Sequence, residues 1–120
     1  MGLYLICALT WAAAVAAEPV GGTNHLSETI QYLLDFVRAS DCIFIRNHKE
    51  HTAVEAASHM QKKYEHFRDR IKTPEEFIKL SATKSLMTGK LYYVKLKDGK
   101  KISSEAWLLQ ALEDYRQKQN

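Results

Sequence analysis

Three residues of the kinds that bind metals or move protons stand four apart, His51, Glu55 and His59. On a helix, Glu55 and His59 share one face, and both residue types bind zinc. The order is not the His-Glu-x-x-His of metalloproteases. His51 also precedes the residue that caps the helix, so the helix does not aim it. His66 lies two turns beyond His59, about 10 Å along the axis, too far to share an ion. The spacing therefore reads as the polar side of a helix carrying Glu55, His59, Lys62, Lys63, His66 and Arg70. No metal site and no cofactor is expected. Histidines set among cations gain charge as pH falls through ~6.5, which would tune binding to an acidic partner.

Other chemistry-bearing patterns fail on inspection. Ser81-Ala82-Thr83-Lys84 has the Ser-x-x-Lys form of penicillin-interacting enzymes, but the Ser-Asp-Asn element is absent and the chain is too small for that fold. Thr88-Gly89-Lys90 is a scrambled Lys-Thr-Gly, and Gly89-Lys90 lacks the upstream glycine of a phosphate-binding loop. No Gly-x-Ser-x-Gly occurs, and no catalytic residue is assigned. What remains is a polar set, Arg46, Asn47, Glu55 and His59, with Ser85 and Lys90 as outer candidates for binding. A charged Arg46 at the end of an apolar strand needs a partner if buried, and Glu55 is the expected one, since a guanidinium meets a carboxylate well. The set either locks hairpin to helix or lines a small polar pocket.

The elements that position these residues follow from patterning. Cys42–Arg46 is a strand by its β-branched and aromatic content. Phe44 points one way and Ile43 and Ile45 the other, so the strand is expected to be central and covered on both faces. Asn47-His48 is a tight turn, and residues 49–51 are a short return strand. Thr52 with Glu55 forms a capping box for a helix over 53–70, with Ala53, Ala56, Ala57, Met60, Tyr64 and Phe67 as its apolar stripe. Before it, Leu26, Ile30, Leu33, Leu34 and Val37 mark a helix over 26–39, with Asn24 or Ser27 as cap. After it, Thr73-Pro74-Glu75-Glu76 starts a helix over 74–83, and Ser85–Gly89 is a loop. Residues 91–97 form a second strand with Tyr92, Val94 and Leu96 on one face. Asp98-Gly99 is read as the hairpin turn whose twist matches the strands, followed by a strand over 101–103. Ser103 or Ser104 caps a last helix over 104–117, with Trp107, Leu108, Ala111, Leu112 and Tyr115 facing in. The fold class is α+β, with two hairpins in one small sheet and about four helices packed on it. A faint local repeat of strand, turn, strand, hydroxyl cap and helix links His48–Ala56 with Gly99–Ala106.

The chain of 120 residues opens with a stretch lacking any charge through Ala17. An apolar run ending in Val15-Ala16-Ala17 is the form of a secretory signal peptide, and it is shorter than the roughly 20 residues of a spanning helix. Residues 1–17 are expected to be a signal peptide, 18–25 a flexible leader and 26–120 a single domain. The protein is then periplasmic or secreted and not membrane-embedded after cleavage. Cys42 would stand alone in the exported chain, and its apolar neighbours predict a buried thiol. The formal charge is +3, an ordinary surface value that excludes nucleic acid as the expected partner. Lys84, Lys90, Lys95, Lys97, Lys100 and Lys101, with Tyr93 on the same strand, cluster in the second hairpin against Asp98. They protect a strand edge or meet an anionic ligand.

The chain resembles the YfeK-like family of small exported bacterial proteins from about Leu34 to Val94. The carriers are Phe44-Ile45-Arg46-Asn47, His51-Thr52, Glu55-Ala56, Ser58-His59, Arg70-Ile71, Thr73, Glu76-Phe77-Ile78, Thr88-Gly89-Lys90, Tyr92 and Val94. It departs at His48, where the family tends to have Gly, and at Leu91, where Pro is common. The resemblance implies periplasmic location and a shared small fold, and no activity. The expected function is a non-enzymatic binding or interaction module for a periplasmic protein or an anionic ligand. The alternatives are a small thiol- or His-dependent hydrolase, using Cys42 or His59, and a protein inhibitor of a cell-wall-active enzyme.

Overall fold

Alternation in the two apolar strands sets the architecture. A computed structural model describes residues 23–120; residues 1–22, where the expected signal peptide and most of the leader fall, lie outside the described residues. The described elements are α1 (Thr23–Ala39), β1 (Ile43–Arg46), β2 (Lys49–His51), α2 (Ala53–His66), a single 3-10 turn (Arg68–Arg70), α3 (Pro74–Ser81), β3 (Tyr93–Lys95), β4 (Lys101–Ser103) and α4 (Ser104–Gln119). The fold is α+β, two hairpins and four helices. The strands form one antiparallel sheet in the order β2-β1-β3-β4, so β1 is central, with Phe44 opposite His51 on one side and Val94 on the other.

Period-two alternation sends Phe44 and Val94 into the helix layer, where they are buried with Leu33, Met60, Phe77, Ile78 and Leu108. The opposite face departs from expectation. Ile43 and Ile45 are only half-buried, because the helix layer, α2 and α4 directly against the strands, covers the other face and Tyr93 and Lys95 flank the isoleucines on the open one. Covering both faces needs helices on both, as crossover connections supply; hairpin connections here leave one side bare.

Element ends differ in instructive ways. Helix α1 begins at Thr23, inside the expected leader, so Asn24 and Ser27 are helical residues and not its cap. Helix α2 stops at His66 and tightens into the 3-10 turn; α3 ends at Ser81. Strand β3 spans three residues, since Leu91 pairs only through an isolated bridge to Lys84. Ser103, not Ser104, caps α4, accepting from the Ala106 N–H. Cys42 is half-buried against the core, not fully enclosed as expected, because it lies just outside β1 at the sheet's end.

The two hairpins turn by different means. Asn47 and His48 both have positive φ, +52° and +67°, the two-residue turn whose twist suits the strands. In the second hairpin only Gly99 is left-handed, at +90°, so Asp98-Gly99 is not that turn. Leu96 N–H donates to Lys100 and Gly99 N–H to Leu96, the longer loop with a bulge at its glycine. A β-carbon in the left-handed region costs roughly 1 kcal/mol, so His48→Gly is expected to raise stability by about that much in urea unfolding. A fall would show that the exposed contact between Lys90 Nζ and His48 outweighs backbone strain.

The capping box at α2 is complete. Thr52 Oγ1 accepts from the Glu55 N–H at 3.1 Å, and Glu55 Oε1 accepts from the Thr52 N–H at 3.0 Å. Thr52→Ala should cost about 1 kcal/mol, read as a lower denaturation midpoint with unchanged slope; an unmoved midpoint would deny the cap any energetic weight.

Candidate functional site

The same alternation that buries Phe44 carries Arg46, two residues on, into the helix layer. Tyr92 precedes Tyr93, the partner of Ile45, and so arrives beside Arg46. Helix α2 crosses above them and brings down His59 and, one turn later, Lys63. Arg46 Nη1 lies 3.1 Å from both Nδ1 and Nε2 of His59. The ring Cε1–H sits between those nitrogens, so one donor cannot serve both in the ring plane. The guanidinium rests over the imidazole face. Tyr92 Oη is 3.3 Å from His59 Nε2, and Lys63 Nζ donates to Tyr92 Oη at 3.3 Å and to the Lys84 carbonyl at 2.9 Å.

The electrostatics follow from burial and like charge. His59 is lowered from 6.5 to about 4, first by burial and then by Arg46 and Lys63, so it is neutral at pH 7. Lys63, 7 % exposed, is lowered by burial and by Arg46. Burial raises Tyr92, and Arg46 opposes that. Among the described residues, no carboxylate stands within ion-pair distance of Arg46 or Lys63.

The expected Arg46–Glu55 pair is not formed. Glu55 turns outward to complete the capping box, with His51 Nδ1 3.6 Å from its Oε1. A carboxylate in the first helical turn satisfies a free backbone N–H there, and that local bond holds it at the rim. The six proposed binding residues divide accordingly. Arg46, His59 and, at the edge, Glu55 line a cleft of about 30 Å³, with Phe44, Met60, Tyr92 and Ser104 among its walls. Asn47 and Lys90 line a separate groove of about 360 Å³ on the open sheet face, with Ile45 and Tyr93. Asn47 Oδ1 accepts from Thr88 Oγ1 at 2.7 Å. Buried Ser85 accepts from the Met87 and Thr88 N–H groups. Asn47, Ser85 and Lys90 thus brace the 85–90 loop against the first turn, apart from the Arg46 cluster.

Sequence reasoning missed Lys63, Tyr92 and Ser104. The signals were present: Lys63 follows His59 by four, and Tyr92 shares a strand face with Val94. The spacing places Lys63 on a wet helix face, yet it is buried, its amine reaching the Lys84 carbonyl. The lysine hairpin is also more compensated than expected. Lys95 pairs with Glu50 at 2.9 Å, Lys97 with Asp41 at 3.3 Å, and Lys101 sits over the Tyr93 ring. Lys84 and Lys90 lie before the hairpin, not in it. Among the described residues no cluster of three or more His, Cys, Asp or Glu side chains could hold a metal ion, and no helix is long and apolar enough to cross a membrane.

A family model described as a family of unknown function (DUF5329) matches residues 24–116. The chain is similar to the uncharacterized protein YfeK of Salmonella typhimurium, 32 % identical over 89 residues, which covers 73 % of this chain and 74 % of that protein. No solved structure matches the chain.

Proposed function

Because the chain belongs to a family of unknown function, DUF5329, we propose its role from its own geometry: a non-enzymatic, exported binding module that holds an anionic partner in the cleft lined by Arg46, His59 and Tyr92, with Lys63 bonded to Tyr92 beside it. One observation carries this reading. Two cations are brought together, Lys63 buried and Arg46 half-buried, and no described carboxylate compensates them. Uncompensated charge at low exposure is costly, and an external anion bound there offsets that cost. Export rests on the apolar, uncharged leader ending in small residues.

The hydrolase alternative has less support. Cys42 does not line the cleft that holds His59. Ser104 does line it, but its hydroxyl makes no hydrogen bond to His59, so no nucleophile–base pair is assembled. The test is affinity capture from a periplasmic extract with the native protein and with Arg46→Ala, each first checked for native circular dichroism. A partner retained by the native protein and lost by the variant supports the module. Equal retention by both removes the cleft from the function.

A further inference from the structure

Away from the cleft, one loop carries its apolar side chains on the outside. Of the five large apolar side chains exposed among the described residues, three fall between Leu86 and Leu91. Met87 is 94 % exposed and Leu86 61 %. Apolar side chains exposed singly are ordinary, whereas a cluster on one loop marks a contact surface. We propose that this tip docks the protein on an anionic lipid surface, Leu86 and Met87 entering the interface and Lys84 and Lys90 meeting the headgroups.

The loop is an ordered turn. Its base is closed by the bridge between Lys84 and Leu91 and by the Ser85 N–H, which donates to the Lys90 carbonyl at 2.9 Å. The Gly89 N–H donates to the Ser85 carbonyl, and Gly89 has a positive φ of +73°, the left-handed residue that ends a single helical turn. Ser85 Oγ accepts from the Met87 and Thr88 N–H groups. Thr88 Oγ1 accepts from the Lys90 N–H and donates to Asn47 Oδ1. These donors would have to shed water on entering an interface, and they are already satisfied by the protein, which lowers the cost of burying the tip. The fixed backbone also keeps Leu86 and Met87 from folding back onto the core.

Charge decides the kind of surface. No Asp or Glu occurs from Phe77 to Lys97. Lys95 and Lys97 are paired with Glu50 and Asp41, but Lys84 and Lys90, at the two ends of the loop, have no carboxylate partner among the described residues. Both are exposed. Anionic headgroups attract such cations, whose stems lie along apolar surface while the amines stay wet. Shape favours a bilayer over a folded partner. At its exposure Met87 touches almost nothing of its own protein, so it stands clear of the surface. A folded partner must offer a preformed pocket for it, whereas a fluid interface closes around it.

The test uses protein purified from the soluble extract, isotope-labelled at its methionine methyls, with vesicles of phosphatidylcholine alone or mixed with phosphatidylglycerol. Co-sedimentation should show binding to the mixed vesicles, at least about tenfold weaker binding to phosphatidylcholine alone, and release as salt is raised. Leu86→Ser with Met87→Ser, and separately Lys84→Gln with Lys90→Gln, should each weaken binding about tenfold at unchanged melting temperature. A nitroxide lipid should broaden the Met87 methyl resonance and spare that of Met60, which is buried in the core. Equal binding to both vesicles, full affinity in either double variant, or a Met87 methyl untouched by the nitroxide would each overturn the docking surface. So would an absence of vesicle binding in which the Leu86, Met87 double variant loses a captured protein, since the tip would then fill a protein pocket. None of Lys84, Leu86, Met87 and Lys90 lines the Arg46 cleft, so Arg46→Ala should bind vesicles as the native protein does, and failure of this proposal is distinguishable from failure of the binding module.

Discussion

Lowering the pH from 6.5 to 4 is expected to remove roughly 2 kcal/mol of stability through His59 alone. The ring is held from 6.5 down to about 4, by burial first, then by Arg46 and Lys63, with smaller contributions from His51 and Lys62. Above pH 6.5 both folded and unfolded chains carry it neutral. Below that value the unfolded chain takes a proton that the folded one refuses, so unfolding gains free energy as pH falls. The loss is complete near pH 4, where the folded ring also protonates, and is flat below. The full shift corresponds to roughly 3 kcal/mol; partial solvent access reduces it to the lower figure. Urea unfolding at steps across this window measures it, with His59→Gln as reference, since that variant lacks the titration. Parallel curves for both proteins would show that the ring is not shielded. Arg46→Ala should shrink the difference without abolishing it, because burial is the larger cause.

Phe77→Ala is expected to cost about 4 kcal/mol, a large share of the 5–15 kcal/mol typical of a domain. Phe77 is fully buried and meets Tyr64 edge-on at 5.7 Å. Its helix, α3, packs against α1, α2 and α4. Truncation there leaves a cavity where the helices meet, with little chance to collapse. Tyr64 follows Lys63 directly, so the same packing sets the rotation of α2 that turns Lys63 inward. Chemical denaturation should show the midpoint fall with a near-constant slope. A loss under about 1 kcal/mol would mean that α3 lies loosely on the core.

Local physics made much of the fold legible in the chain itself. The capping boxes at Thr52 and Thr73, the apolar stripe Ile30–Leu33–Leu34–Val37 and the alternation through Phe44 and Val94 depend on neighbours a few residues away. They place four helices and two hairpins, together with the position of Arg46 on the same strand face as Phe44. Charge partners were not legible in this way. Glu55 could reach back to its own helix start or across to Arg46, and the local bond to the Thr52 N–H won. Lys63 looked like surface until α2 was laid over Tyr92 and the Lys84 carbonyl, a contact across 21 residues of chain. The number of covered sheet faces was likewise open, since half-buried and fully buried isoleucines read alike in sequence. Residue types and spacings alone determined the helices, the strands and the candidates Arg46 and His59. Only the tertiary structure decided that Arg46 meets an imidazole instead of a carboxylate, and that Lys63, Tyr92 and Ser104 join it, because burial and charge pairing depend on which distant segments the core brings together.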